Sequence, residues 1–140
     1  MYFFRRTHVN YSPLYGTVDN KATLELADDA AFVVWGSQWR MPTAEEFQEL
    51  LDGTESEWIK EGDTVIGRKF TASNGNSIFL PAIPNPFSSG QYEGSYWSSS
   101  LLEDYPYPYY SRGLYFYSDG EFLFYYGFRY YGQAVRAVLR

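Results

Sequence analysis

An α+β domain is predicted from three observations. Two stretches of helical spacing come before residue 55, short alternating segments fill the rest, and turn-forming pairs separate those segments. Pro and Gly are scattered rather than gathered, so nothing marks a linker. The 140 residues read as one domain, 1–140, able to bury about two-thirds of its unfolded surface.

The elements follow in order. "ATLEL" (22–26) alternates in the manner of a short strand. "DDAAFVVWG" (28–36) reads as a helix with acids at its start, Ala30, Ala31 and Val34 along one side, and Gly36 as its stop. In "WRMPTAEEFQELLDG" (39–53), Thr43 and Glu46 make a capping box, Phe47, Leu50 and Leu51 recur at helical spacing, and Gly53 ends the run. The texture changes after position 55. "TVIGRKFTASNGNSIFLPA" (64–82) reads as two strands joined at "SNGN", where Asn74-Gly75 tolerates positive φ. No helix is expected beyond it, only short strands. In "QAVRAVLR" (133–140), Val135 and Ala137 alternate with Arg136 and Val138, which makes Val135 core and Arg136 structural in a terminal strand. Trp35, Trp39, Trp58 and Trp97 read as core or as shields for the helices. Arg40 reads as a brace that hydrogen-bonds carbonyls or pairs with an acid.

Composition excludes several functions. There is no cysteine, which removes disulfides, thiolate metal sites and cysteine nucleophiles. A net charge of -6 repels nucleic acid and anionic membrane. No apolar run approaches the ~20 residues that span a bilayer. "MYFFRRTHVN" has no apolar core of a secretory signal behind its arginines. His8, the single histidine, has no partner arrangement that suggests a base. "SSS" (98–100) lacks both a nucleophile elbow and a histidine, so its hydroxyls should satisfy backbone groups beside Trp97. The pairs Asp28/Asp29 and Glu45/Glu46 belong to helix starts. No catalytic constellation emerges, and no enzyme is expected.

One segment stands apart. Between 105 and 131, ten of 27 residues are Tyr and four are Phe, in a chain with 15 Tyr and 11 Phe. In "RGLYFYSDG", Leu114 and Phe116 alternate with Gly113, Tyr115 and Tyr117, and strand geometry sends the two sets to opposite faces. Leu114 and Phe116 belong inward, which leaves the tyrosines outward. "EFLFYYGFRYYG" (121–132) holds too many aromatics for one buried face. Exposed aromatics usually mark an interaction site, and Tyr suits it through a large rigid area, a polar tip and few torsions to freeze. Packing between subunits, or against "MYFF", would explain the same surplus.

Four segments in register, "DDAAFVVWGSQWRMPTAEEFQELLD", "NGNSIFLPA", "GSYWSSSL" and "GQAVRAV", resemble the Fibrobacter succinogenes major paralogous domain family, common in Bacteroidetes, over about residues 17–140. The resemblance implies a C-type lectin-like fold, two helices packed on short antiparallel strands. The family's distant formylglycine-generating relatives work through cysteines and copper, which this chain cannot supply. Of the calcium-site sequences of animal lectins only "PNPF" (84–87) comes near, without flanking acids, so no metal or other cofactor is expected.

Part of this family comprises the variable proteins of diversity-generating retroelements, in which template adenines are randomised near the 3′ end of the gene. Asn codons then become Tyr, Phe or Gly, among others. The resemblance implies a constant skeleton of Pro108, Arg112, Leu114, Phe116, Ser118, Arg129, Gly132 and Arg136. Variable, ligand-binding positions would be Tyr107, Tyr109, Tyr110, Gly113, Tyr115, Tyr117, Gly120, Phe122, Phe124, Tyr125, Tyr126, Gly127, Phe128 and Tyr131, all Tyr, Phe or Gly. The expected function is non-catalytic recognition of a protein or glycan on a cell surface, by a protein of a phage virion or bacterial surface, oligomeric or not. The alternative is an invariant structural or adhesive module.

Overall fold

The computed structural model describes residues 22–84, 91–101, 110–117, 120–128 and 132–140, the segment 120–128 by its main chain. It is mixed α and β, with the strands paired antiparallel in three sheets.

Helix α1 (Ala30–Trp35) is started by Asp29, whose carboxylate accepts from the Ala31 and Phe32 amides. The other carboxylate oxygen accepts from the amide of Met41, 2.8 Å away. One buried side chain thus starts the helix and fixes the strand that follows it. Gly36 ends α1 at φ 90, a conformation that suits glycine. Strand β1 (Trp39–Arg40) leads into α2 (Ala44–Gly53), which carries the expected capping box. The box is reinforced because Arg40 grips the same Glu46 through both guanidinium nitrogens, at 2.6 and 2.5 Å. That pairing raises the Arg40 pKa and lowers that of Glu46. Arg40 also donates to the Met41 carbonyl, so it braces the fold in both expected ways.

Strands β2 (Thr54–Glu61), β3 (Thr64–Ala72) and β4 (Ser77–Pro81) form one sheet in that order. The β3–β4 turn is the predicted one. Gly75 sits at φ 84, and the Asn74 side chain accepts from the Asn76 amide. The second sheet runs β5 (Ile83–Pro84), β6 (Tyr92–Leu101), β7 (Tyr110–Tyr117), β8 (Gly120–Phe128). The outer edge of β6 is used along its length: β5 pairs residues 92–93, Ala134 bonds Ser95 and Trp97, Pro42 bonds Ser99, and Thr23 bridges Ser100. Finally β9 (Val138–Leu139) pairs with β1.

The second sheet has a core on each face. On one, α2 and the three-stranded sheet enclose Phe47, Phe70, Leu80, Tyr96, Leu114 and Phe116, with Trp58 and Leu50 beside them. Phe116 meets Trp58 and Phe70 edge-on and lies nearly parallel to Tyr96. Gly94 faces Phe116 across the β6–β7 pair, and a β-carbon at that position would fall on the Phe116 ring. On the other face a smaller core gathers Ala30, Ala31 and Met41 with Leu24, Trp97, Val135 and Ala137.

Several expectations need correction. "ATLEL" forms only a bridge at Thr23, made by the bonds of Ala22 and Leu24 to Leu101 and Ser99, and goes no further because the Asp28 and Asp29 amides bond back to the Glu25 carbonyl and turn the chain. Val34 does not face inward: α1 buries its alanine side, and Val34 is exposed. Trp35 and Trp39 are exposed too, whereas Trp58 and Trp97 pack on the two cores. The C-terminal strand is confined to residues 138–139, with a parallel bridge at Ala134. Val135 is packed as expected. Strand β2 went unread in the sequence, and β6 and β7 are longer than the short strands expected there.

Candidate functional site

β7 decides where its aromatics go. Leu114 and Phe116 are 0% exposed, while Tyr115 and Tyr117, one residue out of phase, are half-buried on the opposite face. Their rings stack with centroids 5.7 Å apart and planes 29° off parallel. Residues two apart on one strand face are close enough for such a pair, and stacking limits the torsions of both.

Two further residues fix this pair. The Tyr115 hydroxyl donates to Glu93 at 2.6 Å. Glu93 lies two residues before Ser95, the register partner of Tyr115, and so reaches it diagonally across the sheet. Partial burial, and then the Glu93 bond and charge, push the Tyr115 phenol up to about 12. The main chain of Tyr117 is held from the other sheet, where Arg68 donates to its carbonyl at 3.3 Å. Arg68 itself is set by Ser56 and by the Trp58 ring, 5.1 Å beneath its guanidinium carbon.

The same face continues toward Gly113, which pairs with Trp97 on β6 and with Phe124 on β8. Gly113 is buried where the α1 core covers this face near Trp97. It therefore cannot present a contact in the way Tyr115 does. Tyr110 is half-buried and pairs with Phe128. By register, Phe122 stands opposite Tyr115 and Gly120 opposite Tyr117, while Gly127 stands opposite Ser111. Tyr125 and Tyr126 lie on β8 between them, and Tyr107, Tyr109 and Tyr131 lie outside the described residues.

The serines behave as frame. Ser98 donates to the Arg112 carbonyl at 2.8 Å, Ser111 to the Ser100 carbonyl at 3.1 Å, and the Ser100 hydroxyl accepts from the Ala44 amide at 3.0 Å. All are buried. These bonds close the irregular β6–β7 register between Trp97 and Leu101.

Sequence reasoning put Tyr115 and Tyr117 on the side of β7 opposite Leu114 and Phe116, but it did not anticipate Glu93 and Arg68 beside them. Their positions follow from sheet register and from contact between the two sheets, which no local pattern carries. Among the described residues, no helix is long and apolar enough to cross a membrane. The chain matches no family model, no curated protein and no solved structure.

Proposed function

We propose that this is a non-catalytic recognition protein that binds a protein or glycan on a cell surface through a Tyr-rich surface that includes Tyr115 and Tyr117 of β7. The observation that carries this reading is the stacked Tyr115–Tyr117 pair, set on the side of β7 that faces away from the aromatic core. Rigid aromatics held by Glu93 and by the strand beneath them lose little freedom on binding, which favours affinity. The scaffold is read as C-type lectin-like and the chain as the variable protein of a diversity-generating retroelement. The Tyr, Phe and Gly alphabet of 105–131 supports that reading.

Replacing Tyr115 and Tyr117 with Ser tests it on the protein. The melting temperature should stay within a few degrees, while binding to intact bacterial cells or a glycan array is lost. Unchanged binding would sink the proposal. In the genome, a near-copy of the 3′ end rich in Asn codons beside a reverse transcriptase gene is the expected neighbour, and sibling genes should differ only at Asn-derived positions.

A further inference from the structure

We propose that Asn74 is a modification site, losing ammonia to become aspartyl or isoaspartyl, and that its own turn gates the reaction. The chain contains one Asn-Gly pair, Asn74-Gly75, at the tip of the β3–β4 hairpin. In such a pair the backbone nitrogen of the glycine, once deprotonated, attacks the asparagine Cγ. The new N–C bond closes a succinimide ring and the side-chain nitrogen leaves as ammonia. Water then opens the ring at either carbonyl, and nothing is oxidised or reduced. Glycine places no side chain beside the attacking nitrogen, which removes the usual shield. Asn74 and Gly75 are both exposed, so water and hydroxide reach them. Access is not what limits the reaction.

Geometry limits it instead. The nucleophile is engaged: the Gly75 amide donates to the Ala72 carbonyl at 2.9 Å, a bond that keeps its proton in place. The electrophile is engaged too, because Oδ1 of Asn74 accepts from the Asn76 amide at 2.9 Å, which fixes the side chain in an Asx turn. That bond draws electron density from Cγ and favours attack, but the ring cannot close until the nitrogen gives up its proton. A third bond, from the Ala72 amide to the Asn76 carbonyl at 2.9 Å, clamps the tip. Two residue pairs below it, Phe70 and Ile78 anchor the hairpin in the main core. The succinimide therefore forms from a tip that has opened while the strands below stay paired. Conversion to aspartate keeps an acceptor for the Asn76 amide. The isoaspartyl product instead inserts a methylene into the main chain and misaligns the bonds across the tip. The hairpin shares no residue with the Tyr115–Tyr117 face, so this inference stands or falls apart from the recognition proposal.

Peptide mapping by tandem mass spectrometry gives the test, following the one-dalton gain at Asn74 of the full chain with time. The chain is incubated in native buffer and in guanidinium chloride at the same pH and temperature. Deamidation should be at least tenfold slower in the folded chain. Hydrogen exchange of the Gly75 amide, read by NMR, should be slowed by the same factor within about threefold, because both reactions need that nitrogen released. Asn74→Ser should abolish the gain. Equal rates in the folded and unfolded chain overturn the gate, as does a slowed reaction without matching protection at Gly75. An unfolded chain that leaves Asn74 intact, or a gain that survives Asn74→Ser, overturns the site itself.

Discussion

Within β7, neighbouring residues live in different media. Leu114 and Phe116 are sealed between two sheets and a helix, whereas Tyr115 and Tyr117 keep part of their rings in water on the other side. The division follows from the two-residue period of a strand. What differs is the source of order on each side. The inner pair is held by contact on many sides, Phe116 alone meeting three other rings. The outer pair is held by one mutual stack, the Glu93 bond and an anchored backbone. At positions 114–117 the deeper burial is therefore on the inner side of the strand, while the outer side is covered only near Gly113 and Trp97.

The comparison is most severely tested at Phe116. Phe116→Ala should lower stability by about 3–5 kcal/mol in urea denaturation, because it leaves a cavity among three aromatic rings. A cost comparable to that of Tyr117→Ser would mean that the two faces are not distinct. Next in size is Gly94→Ala. The added methyl must displace the Phe116 ring, so a loss of about 1–3 kcal/mol is expected. A neutral result would show that the ring can move aside and that the inner face is looser than it looks.

The smallest effect belongs to Glu93→Gln, read by ultraviolet titration of the phenols. Tyr115 and Tyr96 are both held up to about 12, each chiefly by burial. Removing the Glu93 charge should lower Tyr115 part of the way, because its burial remains, and leave Tyr96 in place. Since the folded value of Tyr115 lies above its ordinary 10, its contribution to stability is complete below pH 10 and is lost as pH rises through about 12. An unchanged titration would remove Glu93 from the site.

Much of the frame was legible because its signals are local. The Thr43–Glu46 box, the Asn74-Gly75 turn and the alternation through Leu114 and Phe116 each lie within a few residues. Strand β2 was hidden because its half-buried positions 54 and 56 are Thr and Ser, and because a bulge at Ile59–Lys60 breaks its phase. Trp35 and Trp39 misled because large apolar residues inside is a one-way rule, and exposed ones are common. Gly113 belongs to the alphabet of the variable positions, yet its burial depends on Trp97 across the sheet. Glu93 and Tyr115 are 22 residues apart, a separation that only the paired strands bring to 2.6 Å.

The serine stitching has a consequence for change at the outer face. Ser98 and Ser111 donate to the carbonyls of Arg112 and Ser100, atoms that every amino acid possesses. The stitching thus needs the two serine hydroxyls but none of the side chains at positions 115 and 117. An experimenter could randomise Tyr115 and Tyr117 together and still recover the same backbone beneath each new surface.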